Sequence, residues 1–219
     1  MATVETRERI LDAAEALFAR QGFSATSLRN VIAEAGVNLA AVHYHFGSRE
    51  ELIRAVFARR FDPVNLERLA LLDAMNAQKG RARSARRLER LLECLLIPLL
   101  KVAHERPGDW SAVTLLVGRA HTDPDFVVRK LLHGQFDELF RRFSAELAGL
   151  LPHLDTAELS YRFHFSIAAM AVTLVHGDDV RQLSDGQIDP AREPEVFVRR
   201  WVAFAAAGLR APSTNEIAE

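Results

Sequence analysis

TSLRNVIAEAGVNLAAVHYHFGSREE, residues 26–51, decides how this chain is read. Leu28, Val31, Ile32 and Ala35 recur at helical spacing, so the first half predicts a short helix with one buried stripe. Gly36 ends it, since glycine alone enters the left-handed cap without a steric cost. Asn38 then stands where an N-cap acceptor is wanted, and opens a second helix at Leu39. That helix buries Val42 and Phe46 and turns Ala40, Ala41, His43, Tyr44 and His45 largely outward. Ser48 with Glu51 predicts a capping box for the helix that follows. Two short helices about a glycine turn, the second with small residues outside, predict a helix-turn-helix over 27–46. The partner implied is double-stranded DNA.

Working outward, TSLRNVIAEAGVNLAAVHYHFGSREELI and the preceding RERILDAAEALFARQGF resemble the DNA-binding domain of the TetR family of regulators, over roughly Thr6 to Phe61. The YHFGS-R-xxL segment carries the family's signature. One departure is His43, where the family commonly has tyrosine. The resemblance implies an all-α fold with a three-helix head at 1–61 and an effector-binding and dimerisation body at 62–219. It further implies a homodimer formed by the last two long helices, and a hydrophobic small molecule as effector.

Composition agrees with this outline. The 219 residues are 49% hydrophobic without a long apolar run, so no membrane span is expected. The start has no signal-peptide core, and the single cysteine, Cys94, fits a reducing cytoplasm. Net charge is −1, which alone argues against nucleic acid, but Arg20, Arg29 and Arg49 face one acid, Glu34, across 20–49. Glycine-rich phosphate loops, a G-x-S-x-G elbow and paired metal motifs are missing, so neither an enzyme, a cofactor nor a metal is expected.

The rest reads as helices. Asp62-Pro63 either kinks the fourth helix or caps a new one ending near Gln78, and 79–83 is the expected boundary loop. Ser84 to Glu105 predicts a long apolar helix bent or broken near Pro98, and Trp110 to Ala120 a shorter one. One helix opening at Asp123-Pro124 is expected to carry Val128, Leu132, Phe136, Phe140, Phe143 and Leu147 on a single face. Asp155 with Glu158 predicts a capping-box start for a helix to about His176, and Pro194 to about Gly208 is the last.

These last two helices are apolar nearly all round, which demands burial on more than one side. A second copy of the chain is the expected cover, through Phe165, Val172, Phe197, Trp201 and Phe204; a central place in a monomer core is the alternative. On the DNA side, Leu39, Ala40 and Ala41 offer base edges only apolar contact, so Arg29 and His43 are the expected readers. Family positions that touch phosphates match Thr26, Ser27, Tyr44, His45 and Arg49, and Asn38 combines capping with such a contact. Sparse polar groups among aromatics suggest an effector pocket at Trp110, Arg119, His133, Phe136, Phe140 and Phe163. A partial likeness to the family's fatty-acid-responsive branch makes an acyl chain one candidate effector; a flavonoid or bile-acid-like ligand suits the same walls. The function expected is a ligand-responsive regulator, most simply a repressor of a palindromic operator. An activator, or a binding module with little DNA affinity, is the alternative.

Overall fold

The structure, a computed structural model, describes residues 2–77, 86–104 and 109–214. The boundary loop expected at 79–83 lies outside them. The described residues form eleven helices and no strand: α1 Ala2–Gln21, α2 Leu28–Ala35, α3 Leu39–Phe46, α4 Arg49–Ala77, α5 Arg87–Ala103, α6 Asp109–Thr122, α7 Phe126–Gly134, α8 Asp137–Leu150, α9 Thr156–Val175, α10 Gly177–Leu183 and α11 Pro194–Arg210. None is long and apolar enough to cross a membrane.

They group into two compact units, Met1–Pro63 with Val102–Phe136, and Val64–Lys101 with Asp137–Glu219. The first therefore holds the expected head, 1–61, together with α6 and α7. Its core is built on α1, where Ile10, Leu11, Ala14 and Phe18 are buried at helical spacing. Phe23, fully buried just beyond α1, packs against Phe18 and meets Phe57 edge-on, with centroids 5.0 and 6.5 Å away. Gly22 permits that turn with a φ of +86°, and its N–H closes α1 onto the Phe18 carbonyl.

Pro63 does not start a new helix: α4 runs through it without interruption. Pro98 likewise lies inside α5. The single helix expected after Asp123 is instead two, α7 and α8, broken at Gly134–Phe136. There Phe136 donates its N–H to the His133 carbonyl and sets its ring against Phe57 and Phe61, at 5.6 and 6.1 Å. The tertiary contact outweighs local helix propensity.

In the second unit, α8 buries Leu139, Phe143 and Leu147. α9 buries Leu159, Phe163, Ile167, Met170 and Leu174, and α11 buries Phe197, Trp201, Val202 and Leu209. Asp155 caps α9 by accepting the Glu158 N–H at 2.8 Å. The Glu158 carboxylate, which a capping box would turn back toward the Asp155 N–H, accepts from the Ser213 hydroxyl and the Thr214 N–H. Arg162 completes this knot, donating to the Gly208, Ala211 and Pro212 carbonyls at the C-terminal end of α11.

Candidate nucleic-acid interface and ligand cavity

α2 and α3 are each fixed by side chains already prominent in the sequence. Ser27 and Asn30 form a reciprocal capping box at α2, with the Ser27 oxygen 3.2 Å from the Asn30 nitrogen and Asn30 Oδ1 3.0 Å from the Ser27 nitrogen. Gly36 ends the helix in the left-handed region, and Asn38 Oδ1 accepts the Ala41 N–H at 2.9 Å to open α3. Val42 and Phe46 face inward, which leaves Leu39 51% and Tyr44 78% exposed. Ala40, His43 and the Arg29 side chain are exposed too, and Arg29 has no hydrogen bond or ion pair among the described residues.

Three polar groups that the sequence suggested for DNA make hydrogen bonds within the head. Thr26 is 1% exposed and its hydroxyl donates to the Gly22 carbonyl at 2.8 Å. Arg49 donates Nε to the Thr26 carbonyl at 3.1 Å and Nη2 to the Phe23 carbonyl, tying the start of α4 to the turn before α2. His43 Nδ1 lies 2.8 Å from the Gly47 carbonyl at the end of α3. Ser27, Tyr44 and His45 stay on or near the surface.

Two further clamps escaped sequence reasoning. Arg9 of α1 donates to the Ala35 and Gly36 carbonyls, at 2.5 and 3.1 Å, and so closes the C-terminus of α2. Asp123, 3% exposed just after α6, accepts the Ser24 N–H at 3.1 Å and the Ser24 hydroxyl, while Arg119 reaches the Arg20 carbonyl at 3.2 Å. No short-range pattern announces either pairing, since 26 and 99 residues separate the partners.

The expected effector residues fall in both units. Arg119, His133 and Phe136 belong to the first unit; Phe140 and Phe163, with rings 6.0 Å apart at 78°, belong to the second. The Trp110 side chain lies outside the described residues. A cleft of about 310 Å³ opens elsewhere in the second unit, between α9, α10 and α11, with Val180, Ile188, Pro190, Val196 and Phe204 among its walls and Arg200 at its edge. Neither Phe140 nor Phe163, the two of this unit, lines it. Phe197 and Trp201 do, from inside the protomer: they are 9% and 4% exposed, and the Trp201 indole donates to the Ser166 carbonyl at 3.0 Å. They are thus core residues rather than an outer face, which corrects the expectation drawn from α11. Phe165, Val172 and Phe204 are 62%, 55% and 65% exposed, joined by Tyr161 at 66%.

Comparison with known proteins places this arrangement. Residues 10–56 match the description "Bacterial regulatory proteins, tetR family", and residues 93–208, more than half of the chain, match "Tetracyclin repressor-like, C-terminal domain". The chain belongs to the TetR family. Over 63 residues it is 43% identical to the HTH-type transcriptional regulator SrpR of Pseudomonas putida, a stretch covering 29% of this chain and 30% of SrpR. Two solved structures share the fold across nearly the whole length. NalD, described as the secondary repressor of the MexAB-OprM multidrug efflux pump in Pseudomonas aeruginosa, superimposes with a TM-score of 0.60 at 20% identity, covering 93% of this chain and 96% of NalD. SmeT in complex with triclosan gives 0.57 at 21% identity, covering 96% of each. That family is one of bacterial regulatory proteins, and the matched stretch spans about a third of SrpR.

Proposed function

We propose that the chain is a homodimeric repressor that leaves a near-palindromic operator when a hydrophobic small molecule occupies its helical body. The observation that carries this reading is α3, which presents an exposed, chemically uncommitted face in a head where Arg29 is also exposed and unpaired, while Thr26 and Arg49 are spent on internal clamps. A rigidly clamped helix with a free outer face is what a major-groove reader requires. In this reading Arg29 takes a guanine edge, Leu39, Ala40 and Ala41 lie against thymine methyls or allow close backbone approach, and Ser27, Asn38, Tyr44 and His45 meet phosphates. Thr26, His43 and Arg49 act one step behind, holding the turn, α3 and α4 in register.

Exposed Tyr161, Phe165 and Val172 recur at helical spacing on α9, and with Phe204 of α11 they make an apolar patch that a second copy would cover. Two-fold symmetry then sets the operator's symmetry. The effector acts by binding the DNA-free conformer better, and only to the extent of that difference. Apolar effectors are supported by SmeT, whose solved form holds triclosan; an acyl chain remains one candidate within that class.

Selection of bound sequences from random DNA by the full chain tests the reading. Enrichment of an inverted repeat with half-sites about one helical turn apart is expected. Enrichment of a single asymmetric site, or none, would overturn it.

A further inference from the structure

Phe61, Val64, Arg68 and Leu72 follow one another along the inner face of α4, and all four are buried. Arg68, at 4% exposure, is therefore a cation in a core position. Its Nε donates to the Leu95 carbonyl of α5 at 2.7 Å and its Nη1 to Asn65 Oδ1 at 3.0 Å. Both acceptors are neutral. Among the described residues no carboxylate lies within ion-pair distance of Arg68, and Nη2 makes no hydrogen bond. Acids on the neighbouring stretches are engaged elsewhere: Glu67 with Lys101 at 2.5 Å, Asp73 with Arg142, Glu93 with Arg86 at 3.7 Å.

Leu95 lies in the turn of α5 just before Pro98, which has no N–H and crowds that turn, and Arg68 gives the Leu95 carbonyl a donor there. A neutral amide would do this as well. What arginine adds is a charge, and burial without a counter-ion pushes its guanidinium down to about 9, leaving it still protonated at neutral pH. A buried cation with no counter-ion is a strongly unfavourable arrangement that an anion would relieve.

We infer that Arg68 is the counter-charge for the effector, and that the effector is an apolar molecule bearing one anionic oxygen group, such as a carboxylate or sulfonate, held beside α5. This rests on the reading that the body binds a hydrophobic small molecule, and supplies its chemical class. The unused N–H groups of the guanidinium fork suit two oxygens of one anionic group.

Two fluorescent probes that differ only by a sulfonate test it: 8-anilinonaphthalene-1-sulfonate and its neutral parent, N-phenyl-1-naphthylamine. The full chain is expected to bind the sulfonate at one saturable site per protomer, on the order of tenfold or more tighter than the parent, as a charge-assisted hydrogen bond implies. Arg68→Gln, which keeps a donor for Leu95, should erase that preference and leave the parent's affinity unchanged, while Arg68→Lys should keep most of it. If the Gln variant loses its helical circular dichroism, Arg68→Met carries the same comparison. Arg200→Gln, removing the exposed cation beside the α10 cleft, should have no effect. Equal binding of both probes by the wild type, a preference that survives in the Gln or Met variant, or a preference abolished by Arg200→Gln would each overturn the assignment to Arg68 while leaving a hydrophobic effector in place. Saturable binding of neither probe would instead remove the effector reading itself.

Discussion

Arg29 and Arg49 have the same side chain and opposite duties. Arg29 is exposed and unpaired, so Arg29→Ala is expected to leave stability unchanged, to weaken operator binding by about 1–3 kcal/mol and to relax preference at one base pair. An unchanged base preference in a selection from random DNA would remove it as a reader. Arg49 bonds two carbonyls, so Arg49→Ala should lower thermal stability, by about 1–3 kcal/mol if those acceptors stay dry. Calorimetry separates the two. The sequence showed two arginines in the right segment; the direction of each side chain depended on carbonyls that only the folded turn exposes. Glu158 makes a different prediction. Hydrogen bonds from the Ser213 hydroxyl and then the Thr214 N–H hold its carboxyl near 2, against an ordinary 4.5. The folded form therefore favours the carboxylate, and its stabilising effect is full above about 4.5 and fades as pH falls toward 2. Urea midpoints measured from pH 7 to pH 3 should fall less steeply for Glu158→Gln, which begins from a lower value at pH 7. Parallel curves for the two proteins would contradict the bonded carboxylate.

At the scale of elements, starts and stops were largely legible because caps are local chemistry. Ser27, Asn38 and Asp155 each accept a backbone N–H three residues on, and Gly36 takes the left-handed cap. Asn38→Ala should therefore cost about 1 kcal/mol and loosen α3, seen as faster amide exchange in residues 39–42. The α7–α8 break and α10 were not legible. The break depends on Phe136 finding Phe57 and Phe61, a contact that no periodicity encodes. The same is true of the Ser24–Asp123 clasp. Asp123→Ala would leave the Ser24 N–H without its acceptor and should lower the melting temperature, by the equivalent of about 1–3 kcal/mol if water stays out. A melting curve identical to wild type would show the clasp to be incidental.

For the whole molecule, the apolar character of α9 and α11 pointed to burial on two sides, yet the sequence assigned those sides only in part. When both faces of a helix are apolar, hydrophobic periodicity ceases to discriminate, and Phe197 and Trp201 turned inward while Phe204 stayed out. Two substitutions separate the faces. Phe204→Glu is expected to give a folded protein that sediments as a monomer, because a charge would enter the covered patch. Trp201→Ala should instead unfold more easily, by about 3–5 kcal/mol, at any protein concentration. A Phe204→Glu protein that remains dimeric would place the symmetric contact on another surface.

The smoothness of α3 has an evolutionary corollary. Leu39, Ala40 and Ala41 present no side-chain hydrogen-bonding group, and the cap beneath them uses the Ala41 backbone N–H, whatever side chain stands there. Replacements at 40 or 41 would disturb neither core nor cap, and exposed changes of this sort usually alter stability by about 0.5 kcal/mol or less. A duplicated copy of the gene could thus acquire a new asparagine, glutamine or arginine at these positions by one amino-acid replacement, two nucleotide changes from an alanine codon, and with it a new target, without passing through an unstable ancestor.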